Sequence, residues 1–327
     1  MKRRDLLSAV SAGLALLKAS SASAQTRPVS KISVGFSPGG STDVIARLLT
    51  NAASATSDGP LVVVENVSGA AGRIAITRVK AAPPDGSSVL VTPLSLMTLY
   101  PHVYKKLGYN PLVDFTPVTA IGQIAFALVV SNDVVPSSIR NIQDLAAWYG
   151  ANPSKATYAS GGAGTPMHFV GEMLAKFAGL KLVHAPYKGG TPMIQDLLGG
   201  HVSTGITVIG EILPHLESKK VRVIAVTSPT RSNRLPEVPT FVESGAPGIV
   251  AQEYFGVFLP RFADASKVSS WERLVKMAVS TPQAKETLRS LACEPYSASP
   301  SEFAQLLKSD YERWAPYVKA SGFSIDE

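Results

Sequence analysis

From residue 31 onward the chain alternates short apolar runs with longer segments whose apolar positions recur every three or four residues. Residues 31–36 read as a strand, 43–55 as an amphipathic helix, 61–65 as a strand and 74–81 as a short helix. A Pro83-Pro84-Asp85-Gly86 turn then leads to a strand at 89–92. Residues 118–131 form one long extended stretch, broken at Gly122, and the alternation begins again beyond it. Strands are predicted at 156–160, 180–185, 205–208 and 221–227, with helices at 166–178 and 191–198. A strand near 254–259 and helices near 268–279, 283–291 and 300–321 complete the pattern. Such βαβ alternation predicts an α/β protein whose mostly parallel sheets are flanked by helices. Two similar units joined by extended crossovers predict a clamshell: lobe 1 from 25–121 and 229–327, lobe 2 from 122–228, with C-terminal helices bracing lobe 2.

The first residues break this pattern. Lys2, Arg3 and Arg4 precede an apolar run at 6–17, and Ala22-Ser23-Ala24 offers the small-x-small pattern of a signal-peptidase site. Residues 1–24 are therefore expected to be an export signal, too short in its apolar part to span a bilayer. Arg3-Arg4-Asp5-Leu6-Leu7 matches a twin-arginine signal only in part, which favours the ordinary secretory route. Removing the signal takes away four basic residues and one acidic one, so the net charge of +7 falls to +4.

Composition narrows the function further. With 45% hydrophobic and 17% charged residues in 327, the chain is predicted to fold rather than remain disordered. Its lysines and arginines are scattered rather than gathered in a stripe with aromatics, so no nucleic-acid partner is expected. A single cysteine, Cys293, excludes an intrachain disulfide and a cysteine-rich zinc site. Histidines 102, 168, 184, 201 and 215 never fall at metal-binding spacing, and neither GxGxxG nor a P-loop occurs. No cofactor or metal is expected.

The candidate chemistry lies in three loops at strand-to-helix junctions. Ser37-Pro38-Gly39-Gly40-Ser41-Thr42-Asp43 is the first, Ser160-Gly161-Gly162-Ala163-Gly164-Thr165 the second and Tyr187-Lys188-Gly189-Gly190-Thr191 the third. Ligands of open α/β sheets bind outside the carboxyl ends of strands, where helix N-termini offer unpaired N–H groups, and glycine lets an anion approach. The three loops are expected to converge on one cleft, although each is equally readable as a tight turn with a Ser, Thr or Asp cap, a role that suits Asp43 and Thr165. His168, one turn beyond Thr165, either points into the cleft or is a buried helix histidine bonded to a carbonyl. Gly35-Phe36-Ser37-Pro38-Gly39 matches the nucleophile elbow of a serine hydrolase, but Pro38 lacks the N–H that an oxyanion hole takes from that position. With no paired carboxylates or Cys/His arrangement, binding without catalysis is expected.

The ordered set of motifs resembles the substrate-binding proteins of the tripartite tricarboxylate transporter family, the Bug receptors. It runs from Phe36-Ser37-Pro38-Gly39-Gly40-Ser41-Thr42-Asp43 with Ala46-Arg47, through Val64-Glu65-Asn66, Gly69-Ala70-Ala71-Gly72 and Pro84-Asp85-Gly86. It continues with Tyr158-Ala159-Ser160-Gly161, Pro186-Tyr187-Lys188-Gly189, Asp196-Leu197-Leu198-Gly199-Gly200 and Leu235-Pro236-Glu237-Val238-Pro239-Thr240, and closes on Trp314 and Lys319-Ala320-Ser321-Gly322. The resemblance implies a type II periplasmic binding protein fold, monomeric, that closes on a small organic carboxylate and delivers it to membrane permease subunits. A sensory role beside a membrane kinase would use the same site. It also implies that Ser37, Gly39, Gly40, Ser41 and Thr42 face Ser160, Gly161, Gly162, Gly164 and Thr165 around one carboxylate, with Asp43 fixing the first loop and Tyr187 walling the cleft. Gly35, where the family often has proline, and His201-Val202-Ser203, where an acidic residue is common, depart from its pattern.

Overall fold

The computed structural model describes residues 28–55 and 61–326. The expected export signal lies outside them. Ten strands form one mixed sheet: β1 Val29–Val34, β2 Leu61–Asn66, β3 Ser88–Pro93, β4 Phe115–Ser131, β5 Thr157–Ser160, β6 Val183–Pro186, β7 Thr204–Val208, β8 Val221–Val226, β9 Gln252–Pro260 and β10 Glu294–Pro295. The helices of eight or more residues are α1 Ser41–Ser54, α2 Arg73–Lys80, α3 Ile142–Ala151, α4 Pro166–Ala178, α5 Gly190–Leu198, α6 Ala265–Ser280, α7 Pro282–Ser290 and α8 Pro300–Ser321. The periodicity located α4 and α8 to the residue and missed α3.

The strand order is β2-β1-β3-β9-β4-β7-β5-β6, with β8 and β10 also paired to β4. The outer trios β2-β1-β3 and β7-β5-β6 are parallel, as the βαβ alternation predicts. The strands between them are not: β9 is antiparallel to β3 and β4, and β7 and β8 are antiparallel to β4. Sequential βαβ units produce the parallel trios, whereas β4 and β9 carry the chain between the two halves of the sheet. β4 passes through Gly122 as one strand, shifting its register against β9 between Ala120 and Gly122. Gly122 has no room for a side chain, because a Cβ there would lie 2.5 Å from Cys293 Sγ and 3.0 Å from the Glu294 carbonyl.

This pairing sets which edges meet. β4 runs in the same direction as β1 and β3, and opposite to β5, β6 and β7. The carboxyl ends of the two trios therefore point at each other along β4. β3 ends at Pro93, level with Phe255 and hence Gly122, while β7 ends at Val208, level with Phe126. Only residues 123–125 of β4 separate the two edges. A second crossing is tied beside this point, where Thr227 Oγ1 accepts from Phe126 N–H at 2.9 Å and donates to the Ala251 carbonyl at 2.6 Å.

Each half has its own core. Ile32, Val34, Leu49, Val89, Val257 and Trp271 pack beneath β1, β3 and β9, and Phe126, Leu128, Tyr149, Tyr158, Phe169 and Ile206 pack around the second part of β4. α8 serves both sides. Its buried positions 303, 307, 310, 314 and 318 follow helical spacing; Phe303 and Leu307 join Leu90 and Phe258, whereas Trp314 and Val318 join Phe126 and Phe169. Its start is fixed by a capping box, with Ser299 Oγ accepting from Glu302 N–H and Glu302 Oε2 from Ser299 N–H.

Close packing makes one glycine in α4 a sharp test. A Cβ at Gly171 would stand 1.9 Å from a ring carbon of Tyr158, which is fully buried and whose hydroxyl donates to Glu172 Oε1 and the His168 carbonyl. Gly171→Ala is expected to destabilise the fold by about 1–3 kcal/mol, read as a lower midpoint in thermal denaturation; an unchanged midpoint would contradict this packing.

Candidate functional site

The first loop leaves β1 at the carboxyl edge and enters α1. Residues 37–41 are exposed, whereas Thr42 and Asp43 are buried. The helix starts two residues before its predicted position, with Gly40 as N-cap and no side-chain cap. Asp43 is therefore the third residue of α1 rather than its cap, a correction that changes what it does. From there its carboxylate reaches back over the loop: Oδ2 accepts from Gly39 N–H at 2.9 Å and from Arg47 Nε at 2.9 Å. Oδ1 accepts from Arg47 Nη2 at 3.0 Å and Asn66 Nδ2 at 2.9 Å, and the same Asn66 nitrogen donates to the Phe36 carbonyl. Burial would raise the Asp43 pKa, but the bonds from Arg47, Gly39 and Asn66 outweigh it and hold the carboxyl below its usual range.

Gly39 is thereby corrected as an anion donor, because its N–H is already taken. Its φ of +83° is instead the reason a glycine stands there. Gly40 N–H points back to the Ser37 carbonyl at 3.3 Å. The first i→i−4 bond of α1 runs from Val44 N–H to the Gly40 carbonyl at 2.9 Å, so the N–H groups of Ser41, Thr42 and Asp43 have no intrahelical partner. These are the donors that the first loop offers.

The second loop is wired in the same manner. Thr165 is the N-cap of α4, its Oγ1 accepting from His168 N–H at 3.4 Å and donating to the Gly162 carbonyl at 2.8 Å. Ser160 is fully buried; its hydroxyl donates to the Gly162 carbonyl, accepts from Gly162 N–H and lies 2.8 Å from His184 Nε2. Gly164 adopts φ +76° and donates its N–H to His168 Nδ1 at 3.2 Å. Ser160 and His168 thus act behind the loop. His168 does not face the cleft; it is buried, and its ring stacks on His184 with centroids 4.1 Å apart. Burial lowers the pKa of His168, and burial together with neighbouring His168 lowers that of His184 to about 4.

The third loop adjoins the second. Gly189 N–H donates to the Gly161 carbonyl at 2.9 Å, and a Cβ on Gly161 would lie 3.2 Å from the Gly189 and Gly190 backbone. Tyr187 is half-buried; its hydroxyl donates to Asp196 Oδ2 at 2.6 Å and its ring packs on the cluster that includes Met193, Ile194 and Leu197 of α5. Ser37 is exposed, and no described hydrogen bond joins it to a histidine; the rings of 102, 168, 184 and 201 are bonded to Tyr311, Gly164, Ser160 and Asp196.

Sequence reasoning did not assign Arg47 or Asn66 to the site, although Arg47 at i+4 from Asp43 was a readable signal. It also missed the segment at 69–72. That segment packs so closely on the first loop that a Cβ at Gly35 would lie 2.6 Å from Gly72 Cα, and it holds Ala70 and Ala71 at φ +45° and +53°. Left-handed alanines are strained by about 1 kcal/mol each, and such strain gathers at ligand sites.

A sheet in two parts, with amide-rich loops on facing carboxyl edges, defines the periplasmic binding protein fold, a class of two-lobed solute receptors. Residues 45–323 match the tripartite tricarboxylate transporter family receptor, and the chain belongs to that family. It is 35% identical over 317 residues to the UPF0065 protein in the tcbD-tcbE intergenic region of Pseudomonas sp. strain P51, covering 94% of this chain and 93% of that one. Among solved structures it is similar to R. palustris Rpa4515 with adipate, at 30% identity and TM-score 0.78, covering 92% of this chain and 99% of the other. MatC from Rhodopseudomonas palustris with bound malate gives 28% identity and TM-score 0.75, covering 90% and 99%.

Two outcomes test this wiring. Asp43→Ala leaves Arg47, Asn66 and Gly39 N–H without their partner and should destabilise the protein by about 1–3 kcal/mol, measured by chemical denaturation; a wild-type midpoint would refute the assignment. Because the His184 pKa is depressed from 6.5 to about 4, the unfolded chain binds protons that the folded chain does not, and stability should fall as pH drops across that window. His184→Gln should flatten the decline in melting temperature between those pH values, whereas the Asp43 contribution persists until pH falls below 3.8.

Proposed function

We propose that this chain is an exported periplasmic receptor that binds a small organic carboxylate and passes it to the membrane subunits of a tripartite tricarboxylate-type transporter. In this reading 25–121 with 229–327 form one lobe and 122–228 the other, and the ligand stabilises their closure by binding the closed state more tightly. The observation that carries the proposal is the opposition of the two carboxyl edges, each bearing a glycine-rich turn at a helix N-terminus. The free N–H groups of Ser41 and Thr42 and the positive end of the α1 dipole suit one carboxylate. Uncharged donors and bridging waters hold it without an arginine clamp. Structures of MatC with malate and Rpa4515 with adipate support a carboxylate as the ligand class.

A thermal-shift screen of monocarboxylates, dicarboxylates and amino acids tests the reading. A ligand at a hundred times its Kd should stabilise the protein by about 2.7 kcal/mol, and the absence of any response to every carboxylate would overturn it. Gly40→Val supplies the site-specific control. Gly40 has φ −71°, and an added Cβ would meet only the Ser37 carbonyl at 3.4 Å, so the fold tolerates a side chain there. The variant should keep its unliganded melting temperature yet lose binding, because the valine covers the approach to the Ser41 and Thr42 amides. Wild-type affinity would remove the first loop from the site.

A further inference from the structure

Glu211 lies on the single helical turn Ile209–Ile212 that follows the carboxyl end of β7. Its carboxylate rests directly on the third glycine-rich loop. A Cβ added to Gly190 would sit 2.0 Å from Glu211 Oε2, 2.7 Å from Cδ and 3.1 Å from Oε1. Gly190 is the first residue of α5 and Gly189 its N-cap, so the protein's own carboxylate lies against the backbone at the start of that helix. Thr207 Oγ1 donates to Oε2 at 2.7 Å and fixes the orientation.

Two further facts give this arrangement a consequence. Glu211 is exposed, and none of the ion pairs among the described residues includes it. The loop it covers abuts the second loop, since Gly189 N–H is bonded to the Gly161 carbonyl at 2.9 Å and Gly161 is packed against Gly189 and Gly190. A ligand with one carboxylate on the Ser41 and Thr42 amides, extended toward Gly161, therefore meets a fixed negative charge at its other end. Closure removes water from that end and strengthens whatever Coulomb interaction is there, repulsive for a second carboxylate and attractive for an ammonium.

Resting on the receptor reading above, we propose that Glu211 is the specificity-determining residue of this cleft and selects amino-carboxylates over dicarboxylates of the same length. The third loop is then an internal anchor for Glu211 and not an anion site for the ligand, which separates it from the other two loops despite their similar sequences.

Calorimetric titration of the mature protein with length-matched pairs tests the proposal: β-alanine against malonate, γ-aminobutyrate against succinate and ε-aminocaproate against adipate. The amino-carboxylate of at least one pair should bind about tenfold more tightly than its dicarboxylate partner. Glu211→Gln keeps an acceptor for Thr207 and a wild-type melting temperature, and it should abolish that preference or reverse it. A wild-type protein that binds the dicarboxylate of every pair as well as the amino-carboxylate, or better, would overturn the proposal. So would a Glu211→Gln variant that retains the preference. Failure of every carboxylate, with or without an amino group, would instead overturn the receptor reading itself and this selection with it.

Discussion

The antiparallel pairing of β4 with strands on both sides is the constraint on which the rest depends. Parallel strands joined by helices place all their carboxyl ends at one edge. Two such trios could lie with those edges facing apart, side by side or together. Because β4 runs with β1 and β3 but against β7, the edges must face each other, separated only by residues 123–125. The opposition of the two edges is a product of strand direction before any loop residue is considered.

Within that frame, each loop is stiffened by side chains that use some of its donors. Asp43 takes Gly39 N–H, Ser160 takes Gly162 N–H and His168 takes Gly164 N–H. The amides left unpaired are already held in position, so a ligand bound there, as proposed, would require less ordering on arrival. The buried carboxylate of Asp43 would be unfavourable alone, but Arg47 and Asn66 complete its bonding and make it a fixed post. The histidine pair behind the second loop is neutral near pH 7, so it supports the loop without adding charge to it.

Most of the elements were legible because the driving periodicities are strong, as in α4 and α8, where Pro at N1 and a Ser or Thr cap mark the start. The family and the loop positions were legible from glycine-rich turns at strand ends. Side-chain direction was not. Asp43 reads as a cap in one dimension, yet the helix begins at Ser41 and turns it into a brace. His168 and Tyr187 lie at the loops in sequence, but Gly164 and Asp196 claim their polar atoms. The antiparallel middle of the sheet was also hidden, since β9 joins β3 and β4 across a long stretch of chain and no local pattern records strand direction.

α8 gives the molecule a property that neither core would have alone. Phe303 and Leu307 complete one apolar cluster and Trp314 and Val318 complete the other, on a single rigid rod near the C-terminus. Displacing this helix removes buried side chains from both clusters at once. α8 therefore couples the two clusters mechanically, as one rod seated in both.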